Sequence, residues 1–256
     1  MQIPRNRFKA ALVARRHQLG IWNILGGSSV PELLATAGYD WIVVDTEHSP
    51  TDVPEVLPAL QAIAAYPDVS AVVRPAANDP VLVKRLLDMG AQTLLIPYVQ
   101  TRAEAEAAVA AVRYPPRGIR GVAGHHRASR YGAIADYMAA AEAEICLILQ
   151  IETRLALDNL EEIAAVEGVD GLFIGPGDLA ASLGHPGRNG DPEVIATIDA
   201  TLARIRAAGL PAGILTLRDE DARRVRGAGS DFTAVGTDVG LLAEAARRLA
   251  ERSRNA

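Results

Sequence analysis

Eight short apolar runs, separated by longer segments of helical periodicity, constrain this chain more than any other feature. The runs are GIWNILG (20–26), WIVVD (41–45), SAVVR (70–74), TLLIPYV (93–99), ICLILQI (145–151), GLFIG (171–175), PAGIL (211–215) and FTAVG (232–236). They are nearly continuous in β-branched and aliphatic residues, the pattern of parallel strands buried on both faces. Between them, stretches such as VPELLATAG, DPVLVKRLLDMG, RAEAEAAVAAVR, NLEEIAAVEG and PEVIATIDATLARIRAAG place apolar residues at helical spacing, and several end at glycine. Eight such β-α units predict an α/β fold: a single (β/α)8 TIM barrel over residues 1–256, a usual length for that architecture. An open doubly wound sheet is the competing arrangement. NRFKAALVARRHQLG predicts a helix before the first strand.

Composition excludes several classes. The formal charge of -5 arises from 26 basic and 31 acidic residues, which gives no support to nucleic-acid or anionic-membrane partners. The single cysteine, Cys146, allows no intrachain disulfide, fits a reducing compartment and reads as core. No apolar run approaches a membrane span, and MQIPRNRFKA lacks the apolar stretch of a signal peptide. The expectation is a soluble cytoplasmic protein.

One connection is unusually long. YPPRGIRGVAGHHRASRYGAIADYMAAAEAE lies between the helix ending near Arg113 and the strand at Ile145. A connection of that size is generally functional or an interface element. It leaves a helix and enters a strand, so it starts on the barrel face opposite the active site, and a subunit contact is the simpler role.

Active-site groups of a TIM barrel sit at the C-terminal ends of its strands. Read in order, those ends are Asp45, Glu47 and His48; Arg74-Pro75; Gln150-Ile151-Glu152; Gly175-Pro176-Gly177-Asp178; and Gly236-Thr237-Asp238. Glu152 and Asp178 come from adjacent strands, about 4.8 Å apart. Two carboxylates so placed can converge on one divalent ion, leaving positions for water and a chelating substrate. Alternatively, Glu152 caps the next helix and Asp178 is an N-cap. GPGDLAASLG is a glycine-rich turn opening a helix, whose free N–H groups favour an anion. Beside a metal, such a turn suits a 2-oxo acid, with the second carboxylate oxygen facing the N–H groups of Gly177 and Asp178.

Arg74 is either a structural partner of a core carboxylate or a cation near a developing enolate oxygen. His48 is a candidate general acid or base, with Asp45 or Asp88 as its orienting group. Asp88 lies near the end of a helix, where the dipole disfavours a carboxylate. The only lysines are Lys9, ahead of the barrel, and Lys84, on an outer helix. Neither is placed for a Schiff base, so carbonyl chemistry here requires a metal.

These pieces, taken in order, resemble the HpcH/HpaI family of class II, divalent-metal-dependent 2-oxo-acid aldolases. The resemblance covers nearly the whole chain: WNILGGSSVPELLATAGYDWIVVDTEHSP, VVRP, LLDMGAQTLLIPYV, YPPRGIRGV with RASRYG, LQIET, GLFIGPGDLAASLG, GILT and FTAVGTDVGLL. It implies that Glu152 and Asp178 hold one divalent metal ion per subunit (Mg2+, Mn2+ or Co2+), with no organic cofactor. It implies that Gln150, Arg74 and the Gly177/Asp178 backbone bind the 2-oxo-acid donor. His48 would act with Asp88, and Trp22 and Leu217 would line the pocket, Leu217 toward the acceptor. It further implies a homohexamer, a trimer of dimers, with the C-terminal helix VGLLAEAARRLAERSR exchanged between subunits. The long segment after Tyr114 would then reach a neighbour's site. Thr46 stands at a position where family members vary, and His125 and His126 receive no role.

The expected activity is that of a carbon-carbon lyase: reversible cleavage of a 4-hydroxy-2-oxo acid into pyruvate (or hydroxypyruvate) and an aldehyde. A citrate-lyase-β or malyl-CoA-lyase-like activity on a coenzyme A thioester is the alternative, disfavoured by the scarcity of lysines to hold its phosphates. A non-catalytic protein that keeps the anion site is the third reading.

Overall fold

The computed structural model describes residues 1–255. In chain order the elements are α1 (Arg7–Val13), β1 (Gln18–Asn23), α2 (Ser29–Ala35), β2 (Trp41–Asp45), α3 (Val53–Ile63), β3 (Ser70–Arg74), α4 (Pro80–Asp88), β4 (Thr93–Ile96), α5 (Arg102–Val112), α6 (Tyr137–Ala140), β5 (Cys146–Ile151), α7 (Arg154–Asp158), α8 (Leu160–Ala164), β6 (Gly171–Ile174), α9 (Pro176–Ser182), α10 (Pro192–Ala207), β7 (Ala212–Leu215), α11 (Asp219–Gly227), β8 (Phe232–Thr237) and α12 (Asp238–Arg254). The eight strands form one closed, all-parallel barrel in sequential order. The open-sheet alternative is thereby removed.

Two apolar layers hold it. Outer strand faces pack against the helices in one continuous cluster that includes Ile42, Val44, Leu94, Leu147 and Ile174. Inner faces supply Trp22, Trp41, Val43, Val72, Leu95, Ile148, Phe173 and Phe232. Helix α1 closes the N-terminal end of the barrel by inserting Phe8 and Leu12 into that inner layer. The Phe8 ring lies 5.5 Å from both Trp41 and Phe232, at tilted and edge-on angles that aromatic quadrupoles favour. Gly20 makes room for Trp41, because a Cβ there would strike the indole.

Local chemistry sets the boundaries. Strand β4 stops at Ile96, earlier than the apolar run suggests. Pro97 offers no N–H to the ladder, and Tyr98 adopts a left-handed φ of 58°. After β2, Asp52 and Glu55 form a reciprocal capping box that starts α3, so the polar SPTD segment is a turn and helix cap. Helix α5 begins the same way, with Thr101 and Glu104.

The long connection runs along the N-terminal face of the barrel. Arg120 anchors it, with its side chain fully buried, 4.5 Å from the Tyr114 ring centre and 5.8 Å from that of Tyr137. Ile119, Val122 and Tyr131 stay exposed on the same segment. Helix α12 projects Leu241, Leu242 and Leu249 outward, with Asp238 its only buried residue. Among the described residues no helix is long and apolar enough to cross a membrane.

Candidate active site

Strand β2 delivers Asp45 to the C-terminal rim in register with Arg74 of β3. Asp45 grips the guanidinium with both oxygens, Oδ1 accepting from Nε at 2.8 Å and Oδ2 from Nη2 at 2.7 Å. Both residues are buried. Trp22 supports the pair: its Nε1–H donates to Asp45 Oδ2 at 3.4 Å, and its ring lies 5.0 Å from the Arg74 guanidinium carbon. Burial works against the charged guanidinium. The Asp45 hydrogen bonds, with the charges of Asp45, Glu47 and Glu152, outweigh it and hold Arg74 above its ordinary value. The apolar run WIVVD thus ends in charge because its last residue neutralises the arginine of the next strand.

The remaining Arg74 nitrogen, Nη1, reaches Gln150 Oε1 at 3.4 Å and Glu47 Oε2 at 2.8 Å. The Glu47 contact is an ion pair without hydrogen-bond alignment, which leaves Oε2 without a hydrogen-bond donor. Gln150 passes the network on, its Nε2 donating to Glu152 Oε2 at 2.7 Å. Glu152 Oε1 accepts from the Tyr98 N–H at 2.8 Å, a donor aimed by the left-handed turn after β4.

Glu152 is 2% exposed. Burial pushes its carboxyl up to about 7, repulsion from Glu47 and Asp178 adds to this, and the Tyr98 amide and Arg74 oppose it. Glu47 is raised for the same leading reason, burial, against the pull of Arg74 and His48. Asp178 sits in the first turn of α9, exposed at the rim. The N-cap of α9 is Gly175 and that of α7 is Thr153, so neither Asp178 nor Glu152 serves as a helix cap. Gly175 faces Glu152, and a Cβ there would collide with Oε2. The N–H groups of Gly177 and Asp178 lie in the first helical turn, where backbone donors have no partner within the helix.

Asp45, Glu47 and Glu152 face one buried cation, which Asp45 already neutralises, and Asp178 lies close enough to Glu47 and Glu152 to repel their charge. The surplus negative charge, the hard oxygen donors and the space left by Gly175 fit a divalent cation held by Glu152 and Asp178. Among the described residues no cluster of three or more His, Cys, Asp or Glu side chains forms a metal site, so an ion held by these two carboxylates would need further ligands from outside that set. A groove of about 570 Å³, lined by Glu47, Pro97, Tyr98 and small side chains such as Ala76 and Ala77, opens beside Glu47.

The other candidates divide. His48 lies on the rim, exposed, with Nε2 3.9 Å from Glu47 Oε1. Leu217 is exposed on the loop after β7, on the same rim. Asp88 is elsewhere. It ends α4, which runs back from the rim, and its Oδ1 accepts from Arg120 Nη2 at 2.8 Å and lies 3.6 Å from His126 Nε2. Within one chain His48 and Asp88 do not meet, and Asp45, the other orienting candidate, is committed to Arg74. His126 acquires a structural place, its Nδ1 accepting from the Ser129 N–H at 3.1 Å. The structure gives Arg74 the core-carboxylate partner that was one of its two sequence readings, and identifies it as Asp45, which the sequence did not single out although both residues end neighbouring strands. Sequence reasoning missed the Tyr98 amide, a backbone group without a residue signature.

This geometry matches a known lineage. A family profile described as HpcH/HpaI aldolase/citrate lyase fits residues 18–245. The chain belongs to that family. It is similar to a pyruvate aldolase of Rhizobium etli, 58% identical over 252 residues that cover 98% of this chain and 99% of the relative. It is 57% identical over 246 residues to a hydroxypyruvate/pyruvate aldolase of Sagittula stellata, covering 96% and 97%. Among solved structures, an HpcH/HpaI aldolase/citrate lyase family protein from Burkholderia cenocepacia J2315 superposes with a TM-score of 0.93 at 42% identity, covering 97% of this chain and 99% of the other.

Proposed function

We propose that the protein is a metal-dependent aldolase that reversibly cleaves a 4-hydroxy-2-oxo acid into pyruvate, or hydroxypyruvate, and an aldehyde. The observation that carries this reading is the buried Glu152 carboxyl, raised to about 7 beside Asp178 and linked through Gln150 to Arg74. The aldolase names of relatives that align over nearly the whole chain support it.

Glu152 and Asp178 would hold the ion, Mg2+, Mn2+ or Co2+. When bound, a divalent ion supplies Lewis-acid stabilisation of negative charge on a 2-oxo-acid oxygen. The chain's own groups do the rest. The Gly177 and Asp178 N–H groups face the donor carboxylate. Gln150 and the Asp45-anchored Arg74 fix the 2-oxo group, and Arg74 adds positive charge where the enolate oxygen develops. Trp22 holds Arg74 from behind, and Leu217 borders the acceptor side. In the cleavage direction the C4 hydroxyl loses its proton, the C3–C4 bond breaks, and its electron pair enters the enolate. His48 moves that proton and returns one to C3. Asp88 could pair with His48 only as a residue of a second subunit. The exposed leucines of α12 and the apolar side chains after Tyr114 support a homohexamer in which α12 is exchanged between partners. The single buried cysteine agrees with a cytoplasmic location.

The test is exchange of the pyruvate C3 protons in D2O, followed by NMR. Chelator-treated protein should be silent, and added Mg2+ or Mn2+ should restore exchange. Glu152→Gln and Asp178→Asn should abolish metal-stimulated exchange while keeping the fold. Full exchange by either variant would misplace the metal site.

A further inference from the structure

Stability alone does not explain Arg120. Its side chain is fully buried, yet Nε and Nη1 find no hydrogen-bond partner, and the guanidinium lies 4.5 Å from the Tyr114 ring centre and 5.8 Å from that of Tyr137. Burying a charge with unpaired donors costs free energy, and an apolar side chain of similar volume in such a place is often neutral or stabilising. What the charge secures is one contact, Nη2 donating to Asp88 Oδ1 at 2.8 Å. Asp88 ends α4, where the helix dipole works against a carboxylate. His126 Nε2, 3.6 Å away, makes no hydrogen bond to it. Among the described residues Arg120 is therefore the only side chain that donates to Asp88, whose Oδ2 accepts no hydrogen bond on a side chain 23% exposed.

We propose that Arg120 is a positioning residue of the aldol reaction, fixing Asp88 by one carboxylate oxygen and leaving the other to accept from His48 of a second subunit. The role rests on the reading that Asp88 and His48 pair between subunits. The backbone around Arg120 is itself fixed. The Arg120 N–H donates to the Arg113 carbonyl at 2.9 Å, and the Ile119 N–H donates to the Ala110 carbonyl at 2.8 Å, which ties the segment to the end of α5. Gly118 runs so close to that end that a Cβ would strike the Ala110 and Arg113 carbonyl oxygens. The guanidinium is thus aimed by backbone contacts and by the two tyrosine rings. Ile119 and Val122, on either side of Arg120 along the chain, are 63% and 64% exposed, so the segment that holds Asp88 also offers apolar surface to another copy of the chain. Arg120 lies on the opposite barrel face from Arg74 and Gln150, which hold the 2-oxo acid, so it acts through Asp88 alone. Its removal should slow proton transfer without weakening donor binding.

The experiment uses the full-length protein with Mn2+ or Mg2+ and measures pyruvate C3 exchange for Arg120→Met, Arg120→Lys, Asp88→Asn, His48→Ala and the Arg120→Met/Asp88→Asn double variant. Met fills much of the arginine's space, and Lys keeps its charge; Arg120→Gln replaces Arg120→Met in every comparison if the latter does not assemble. Positioned general acid–base groups contribute about 10²–10⁴-fold, so Arg120→Met should lower kcat about tenfold or more. The pyruvate KM should stay within about threefold, and Arg120→Lys should recover part of the rate. The double variant should be no slower than Asp88→Asn. An equal slowing by Arg120→Met with and without Asp88, or a raised KM at unchanged kcat, would overturn the proposal. Co-expression separates a role between subunits from damage within one chain. In mixed oligomers a site with its own His48 is complete when its neighbour keeps Arg120 and Asp88. Equal mixing of His48→Ala with either Asp88→Asn or Arg120→Met should therefore restore about a quarter of the wild-type exchange. Recovery with Asp88→Asn but not with Arg120→Met would overturn the role of Arg120 alone, whereas recovery with neither would overturn the second-subunit reading of Asp88 and the proposal with it. Crystal structures of the metal-free oligomer give a readout independent of turnover. The Asp88 carboxylate should lie within hydrogen-bond distance of His48 of the second subunit in the wild type and turn away from it in Arg120→Met; an unmoved carboxylate overturns the proposal whatever the rates. Absence of exchange in the wild type together with that displacement would instead overturn the aldolase reading and keep the positioning of Asp88 by Arg120.

Discussion

Replacing Glu152 by glutamine should flatten the pH dependence of stability of the metal-free protein. Burial raises the Glu152 carboxyl from 4.5 to about 7. Between those two values the folded protein keeps a proton that the unfolded chain has released. This contribution to stability is therefore complete below about pH 4.5 and is lost as pH rises through about 7. At about 1.4 kcal/mol per pH unit, the loss amounts to about 3 kcal/mol. For a chain of this size that corresponds to roughly 6–12 °C in Tm. The substitution also carries a cost that does not vary with pH. The carboxylate accepts from both Tyr98 and Gln150, whereas an amide has one acceptor oxygen, so an offset of about 1–2 kcal/mol is expected. The slope is the test, and the intercept is not. Urea midpoints of chelator-treated wild type and variant would be compared from pH 5 to pH 8 at one protein concentration, since assembly makes stability concentration-dependent. The wild type should lose about 2.5 kcal/mol more than the variant over that range, the part of the full loss that falls between pH 5 and pH 8. Parallel curves would refute the claim that Glu152 is a strained, buried carboxyl. Saturating Mn2+ should stabilise the wild type increasingly as pH rises and leave the variant nearly unchanged.

Three further outcomes can be checked. Asp45→Asn should cost about 3–5 kcal/mol in urea unfolding, because it removes one partner of a buried ion pair and strands the Arg74 charge; a loss below about 1 kcal/mol would mean solvent already screens the pair. Gly175→Ala should weaken Mn2+ binding about tenfold or more by calorimetry, since the new methyl displaces the Glu152 carboxylate, a perturbation of the size expected when a ligand's support is lost; unchanged affinity would remove Glu152 from the ligand set. Arg120→Ala should destabilise the fold by about 2–4 kcal/mol through lost packing of a large, fully buried side chain against Tyr114 and Tyr137 and loss of its Asp88 ion pair, with thermal unfolding as the readout.

The barrel was legible because each strand is a short, doubly buried apolar run, and that burial leaves a continuous pattern of β-branched and aliphatic residues. The rim was legible for a related reason. Polar groups interrupt an apolar strand only where it leaves the core, so Asp45, Arg74, Glu152 and Asp178 mark one end of the barrel in the sequence itself. Strand lengths were less accessible: the run at 93–99 continues past Ile96 in composition, yet Pro97 and the left-handed Tyr98 end the ladder.

Pairing within one chain was not legible. The resemblance joins His48 to Asp88, and a carboxylate at a helix C-terminus invites a functional reading, but the two lie apart in the single chain. Helix α4 runs antiparallel to the strands, so its last residue lies a full barrel height from the rim, beside Arg120 and His126. Arg74 had several acidic candidates, and the register of β2 with β3 chose Asp45. The sequence by itself determined which residues are buried, where each strand surfaces and what chemistry the rim offers, because burial and helical period are local, one-dimensional signals. Only the tertiary structure decided which charges touch, because strand register and helix direction bring together residues whose separation along the chain carries no such signal.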